Sequence, residues 1–144
     1  MIHQKHIFHC RNLFIGGLMT NKIIRRQILE GFLKNIVRLS DEKYQERVWV
    51  RAEGPECNDI DDAVCDFFDD GNPILEKYKE YEISESQYKL LMTLYSKLRT
   101  FTDTFGVYSA TKSTEQLIKL QQWQEIKEIS KRVIITFDSK IYKL

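Results

Sequence analysis

Proline and glycine are scarce, at two and six residues in a chain of 144. That scarcity excludes collagen-like and Pro/Gly low-complexity chains and disfavours a turn-dense β-sandwich. Cysteine is nearly absent: Cys10, Cys57 and Cys65 form an odd set with no CxxC pair. Neither a disulfide framework nor a zinc ribbon can be read from it. The chain therefore reads as intracellular, and the cytoplasm is the expected location. No stretch reaches the ~18 uninterrupted apolar residues of a membrane span, so no membrane association is expected. Histidine is confined to His3, His6 and His9, which leaves the remainder without an imidazole general base or a Ser-His-Asp triad. G-x-S-x-G, phosphate-cradling Gly-rich loops and G-x-G-x-x-G are missing as well. No catalytic residue is assigned, and an enzyme is not expected.

What is present is an ordinary globular composition, 42% apolar and 30% charged, with a very uneven order of charges. Seven Lys/Arg stand against one acid in residues 1–40, fifteen acids against six bases in residues 41–90, and nine bases against five acids in residues 91–144. The net charge of +1 conceals an acidic middle third between basic flanks. Block asymmetry of this kind points to a charged partner, although a solvated acidic face is the plainer reading.

The apolar pattern is helical. Ile23, Ile24, Ile28, Leu29, Phe32, Leu33, Ile36 and Val37 recur at steps of three and four, the period of one buried helix face. A second segment opens at Ser40, with Asp41 and Glu42 in its first turn; Val48-Trp49-Val50 could instead be extended. Glu53-Gly54-Pro55-Glu56 reads as a loop. A third helix carries Ile60, Ala63, Val64, Phe67 and Phe68, capped by Asn58 or Asp59. Gly71 is expected to stop it, with Pro73 near the start of another run. Cys65 reads as a small buried hydrophobe within that helix. Ser84 with Gln87 and Ser113 with Gln116 are capping-box pairs. The first precedes the stripe Tyr88, Leu91, Met92, Tyr95, Leu98 and Phe101; residues 102–112 read as a loop; the second precedes one long final helix from Leu117 to Phe137. The expectation is an all-α domain of five to six amphipathic helices over residues 19–144.

Residues 1–18 read as an upstream extension that contributes little to the fold. An apolar patch from Leu13 to Met19 lacks a following cleavage site, and Met19 would make a natural start. His3, His6, His9 and Cys10 suggest a metal reading, but no second ligand cluster orients them, and no cofactor is expected.

The candidate partner-binding residues are Asp59, Asp61, Asp62, Asp66, Asp69 and Asp70 on the third helix, with Glu56 before it. The aspartates are offset from the apolar stripe and should project largely into solvent. Asp62/Asp66 and Asp66/Asp70 repel at four-residue spacing, each pair by roughly 0.2–0.5 kcal/mol. Asp69 and Asp70 would add a penalty at the negative end of the helix dipole. A row of acids that costs stability fits docking on something basic, since helix carboxylates can occupy the contacts that phosphates make with Lys and Arg. Trp49 and Arg51, with Arg47, could add an aromatic–basic contact patch, although Trp49 is more readily a core residue.

Two other readings stay open. The carboxylates could hold Mg²⁺ or Ca²⁺ in a metal-dependent hydrolase, but no acid pair on a facing helix and no EF-hand run is present. The basic flanks Lys22/Arg25/Arg26 and Lys127/Lys131/Arg132 could serve a nucleic-acid-associated protein, but no aromatic stacking platform accompanies them.

The segment from Glu46 to Leu75, ERVWVRAEGPECNDIDDAVCDFFDDGNPIL, resembles a motif of small uncharacterised bacterial proteins. In size and acidic helical character these are similar to immunity proteins that neutralise secreted or contact-delivered toxins. The resemblance spans residues 20–137, rests on style rather than a diagnostic motif, and transfers no functional residue. It implies a non-catalytic inhibitor that docks an acidic helix on a basic toxin or nuclease. Oligomeric state is left open.

Overall fold

The computed structural model describes residues 21–106, 111–142 and 144. The extension at residues 1–18, with its three histidines and Cys10, lies outside the described residues. Among the described residues all regular structure is helical.

Helix α1 (Asn21–Ser40) buries Leu29, Phe32, Leu33, Ile36 and Leu39, the three-and-four spacing read from the sequence. Its first turn runs past the core, and Ile23 is 47% exposed. Asp41 opens α2 (Glu42–Tyr44), its carboxylate accepting the Tyr44 N–H at 3.0 Å. The chain then widens without a break into a π-helical stretch, Gln45–Val50, so Val48-Trp49-Val50 is wound rather than extended. Arg51 N–H closes it on Glu46 O, five residues back, at 3.0 Å. Ala52, at φ 52°, reverses the chain. The following loop is strapped by Arg47, whose Nη1 donates to Glu53 O at 3.1 Å. Gly54 sits under this strap at φ 99°, where a Cβ would collide with the guanidinium.

Helix α3 (Ile60–Glu76) is capped by Asp59, which accepts the Asp62 N–H at 2.8 Å. It does not stop at Gly71. The helix passes through Gly71 and Pro73 as one element, and Gly71 is buried against the ring of Phe32. A close helix crossing, not a left-handed turn, is what this glycine serves. Proline forfeits one helical hydrogen bond here, while Ile74 and Leu75 beyond it reach the core. Cys65 is half-buried and Cys57 exposed.

Helix α4 (Glu85–Phe105) starts at the Ser84–Gln87 capping box, with both reciprocal bonds formed. It continues four residues beyond the expected end at Phe101, and Gly106 terminates it. The second box, Ser113–Gln116, opens the short α5 (Thr114–Ile118). The expected single helix from Leu117 to Phe137 is broken at Leu120, whose backbone is extended (φ −64°, ψ 146°) ahead of α6 (Gln121–Ile135). The break turns Leu117 and Ile118 into the core beside the π segment. Gln124 Nε2 then donates to the Ile118 carbonyl at 2.8 Å. A last short helix, α7 (Ser139–Tyr142), lies near α1.

Helix α1 packs between α3 and α6, and α6 in turn packs on α4. Asn35 meets Ala63 while Phe32 meets Phe67 and Gly71, so α1 and α3 are antiparallel. Lys97 meets Glu125 and Gln87 meets Thr136, so α4 and α6 are antiparallel too. The open side between α3 and α4 is bridged by Phe67, Phe68 and Tyr95, with ring centroids 5.0–6.2 Å apart.

Candidate functional site

The acidic side chains of α3 follow directly from its helical winding. Ile60, Ala63, Val64, Phe67, Gly71 and Ile74 face the core, which puts Asp62 and Asp69 on the opposite side and Asp61, Asp66 and Asp70 on its flanks at helical spacing. They are less solvated than their sequence pattern implied. Asp59 is exposed, but Asp61, Asp62, Asp66, Asp69 and Asp70 are each half-buried. Because α3 runs on to Glu76, Asp69 and Asp70 are not in its last turn, and the expected dipole penalty does not apply to them. The like-charge spacing remains. Among the described residues, Asp59, Asp61, Asp62 and Asp69 form no ion pair with a lysine or arginine.

Asp61 carries the clearest mark of this. Its Oδ1 is buried without a hydrogen-bond partner. Burial, followed by the charges of Asp59 and Asp62, raises its pKa above the ordinary 3.8. The folded chain therefore holds this proton more tightly than the unfolded chain does. The stability it contributes is fully present below pH 3.8 and is lost as pH rises through the raised value. Asp61→Asn is expected to flatten that part of the stability–pH curve and to leave the neutral-pH melting temperature equal or higher. Thermal melts of both proteins, from about pH 3 to about pH 7, check this. An Asp61→Asn curve that keeps the wild-type slope above pH 3.8 contradicts it.

The other proposed contact residues are committed within the molecule. Glu56 is held by Arg47 in a two-pronged pair, with oxygens 2.9 and 2.5 Å from the guanidinium nitrogens. The hydrogen bonds from Arg47 hold the Glu56 carboxyl at a pKa of about 2. Arg51 is exposed and pairs with Glu53 at 3.2 Å. Trp49 is a core residue at 7% exposure. Its Nε1 donates to Asn58 Oδ1 at 2.8 Å, and its ring edges onto Tyr44 and Trp123. The structure thus brings the α3 aspartates together and leaves Trp49 out of any contact patch.

The basic flanks divide in the same way. Lys22 reaches Glu82 at 3.6 Å and Lys131 reaches Glu128 at 3.4 Å. Lys127 is 4% exposed and pairs with Glu42 at 3.3 Å, so it is interior rather than part of a solvated basic face. Among the described residues no group of three or more His, Cys, Asp or Glu is placed to hold a metal ion.

Sequence reasoning missed the polar residues inside the bundle. Gln45, fully buried, donates from Nε2 to the carbonyls of Arg38 (2.9 Å) and Leu39 (3.0 Å) at the end of α1. Its Oε1 accepts the Trp123 Nε1–H at 2.9 Å. No sequence pattern marks this glutamine, because its partners are backbone atoms and a tryptophan 78 residues away. Asn35 and Ser130 are also buried, with Asn35 Oδ1 and Ser130 Oγ lacking a partner.

No family model matches the chain, and no similar curated protein or solved structure was found.

Proposed function

We propose that this chain is a non-catalytic cytoplasmic binding protein, an immunity-type inhibitor that docks the acidic side of α3 on a basic toxin or nuclease. The carrying observation is the uncompensated charge on that helix. Asp59, Asp61, Asp62 and Asp69 have no cation partner among the described residues, and burial, followed by the charges of Asp59 and Asp62, raises the pKa of Asp61. Repulsion retained inside a folded chain is relieved when an external cation arrives. The burial of Trp49 and the internal pairing of Glu56 and Arg51 narrow the proposed surface to the aspartates.

The triple variant Asp62→Asn, Asp66→Asn, Asp69→Asn tests the reading. Removing like charges at helical spacing should leave the melting temperature equal or raised, by roughly 0.2–0.5 kcal/mol per relieved pair. Association with its basic protein partner should slow on the order of tenfold and lose salt sensitivity, because steering is the electrostatic share of such an interface. A merely solvated face gives the same melting result with unchanged association, and that outcome ends the proposal. Calorimetry with Mg²⁺ separates the metal reading, which requires heat that the triple variant loses.

A further inference from the structure

We propose that the end of the bundle where α1 begins and α6 and α7 finish attaches to the surface of an anionic lipid bilayer. It uses none of the α3 aspartates and does not depend on the docking reading. The fold assembles this end from the two basic flanks of the sequence. Gln45 joins the last turn of α1 to Trp123 near the start of α6. The two helices are therefore antiparallel, and the last turn of α6 lies toward the start of α1. Tyr142 of α7 shares a small cleft with Arg26 and Leu29 of α1. Lys22, Arg25 and Arg26 thus come to the same end as Lys131, Arg132 and Lys140. Part of this charge is not spent internally. Glu82 takes Lys22 and Glu128 takes Lys131, while the Asp138 carboxylate accepts the Lys140 backbone N–H at 2.9 Å. Arg26, Arg132 and Lys140 are exposed, and their side chains form no ion pair among the described residues.

Aliphatic side chains stand among these bases. The large apolar side chains exposed among the described residues are Ile23 (47%), Ile135 (80%) and Ile141 (45%), and all three belong to this end. Each has a cation beside it. Arg26 follows Ile23 by one helical turn on α1, Arg132 precedes Ile135 by one turn on α6, and Lys140 adjoins Ile141. One exposed isoleucine needs no explanation. Three at one end, each next to a base, match a surface whose aliphatic groups enter the acyl boundary while its cations stay with the headgroup phosphates. Nucleic acid presents similar phosphates but gives an aliphatic side chain no apolar phase to enter, and its single strands are held by stacking aromatics instead. The contact is with one leaflet, since no helix among the described residues is long and apolar enough to cross a membrane. The expectation of no membrane association came from the lack of a spanning run and does not bear on surface attachment.

The test is co-sedimentation of the full chain with phosphatidylcholine vesicles containing about one-third phosphatidylglycerol, and with pure phosphatidylcholine vesicles, at about 0.1 M salt. Binding to the anionic vesicles should be at least about tenfold tighter than to the neutral ones. Arg26→Gln with Arg132→Gln should weaken it on the order of twentyfold, about fivefold for each base. Ile135→Ser with Ile141→Ser, both at exposed positions, keeps the net charge. It should weaken binding at least about fivefold with an unchanged melting temperature. Equal partition onto neutral and anionic vesicles, or none onto either, overturns the proposal. Anionic-vesicle binding that is undiminished in the isoleucine pair assigns this end to polyanions in general and overturns it too. So does binding that double-stranded DNA abolishes at matched phosphate concentration.

Discussion

Gln45→Leu is expected to destabilise the protein by about 2–5 kcal/mol, because it strands buried polar groups on two elements at once. Leucine is one atom shorter and branches earlier, but it is similar in volume, so the packing term is small beside the loss of the amide. What disappears is one amide that acts in both senses. Its Nε2 donates to Arg38 O and Leu39 O, carbonyls in the last turn of α1, where helical donors run out. Arg38 O keeps a bond from Asp41 N–H at 3.3 Å, whereas Leu39 O depends on Gln45. On the other side, Trp123 is fully buried and its N–H loses its acceptor. Each orphaned group costs about 1–3 kcal/mol, against a total domain stability of about 5–15 kcal/mol. Urea melts should show a lower midpoint with an unchanged slope. Trp123→Phe made in the Gln45→Leu background should cost less than it does in the wild type, since the N–H it removes is already unpaired. Equal stability of Gln45→Leu and wild type contradicts the arrangement.

The contrast between Gln45 and the apolar stripes shows what the sequence could reveal. Leu29, Phe32, Leu33 and Ile36, or Leu91, Leu98 and Phe101, announce themselves because a buried helix face has a period. The Ser84 and Ser113 caps announce themselves because a capping box closes within four residues. Both signals are local. Continuity of the helices was decided elsewhere. Leu120 interrupts an unbroken apolar period, and the compensation is an interaction between Gln124 and Ile118 together with the burial of Leu117 and Ile118 on the π segment. Nothing in a helical period distinguishes a helix of 21 residues from two helices at an angle. The π winding of Gln45–Val50 has no propensity signature either; it is tied to Gln45 and Trp49 meeting Trp123.

The candidate surface was legible in its charge and not in its commitments. Counting acids locates α3, but whether an acid is free depends on a partner brought by the fold. Glu56 is engaged through a loop that requires Ala52 and Gly54 at positive φ. Lys127 groups with Lys131 and Arg132 in the sequence, yet those two are exposed while Lys127 is buried and paired with Glu42 at the start of α2. In each case the missing information is a contact between distant segments.

Gly71→Ala and Gly31→Ala should move stability in opposite directions, although helix propensity alone assigns both the same sign. Alanine is favoured over glycine in a helix interior by about 0.8–1.0 kcal/mol, because the unfolded chain loses less freedom on folding. Gly31 lies in α1 with nothing within 4 Å of the position its Cβ would take. Gly31→Ala is therefore expected to stabilise by about 0.5–1 kcal/mol. At Gly71 the added Cβ would stand 2.8 Å from Phe32 Cε1 and 3.0 Å from Cζ. Phe32 cannot yield cheaply, being fully buried with its ring 5.3 Å from that of Phe67. The α1–α3 crossing must open or the ring must leave its rotamer, at a cost of about 1–3 kcal/mol that outweighs the propensity gain. Paired chemical denaturation of the two variants reads the difference. The variant Gly71→Ala with Phe32→Leu supplies the control. Shortening the ring should recover part of the loss, since the added methyl then meets space where the ring tip had been. A Gly71→Ala protein as stable as Gly31→Ala would mean that α1 and α3 do not cross at this glycine.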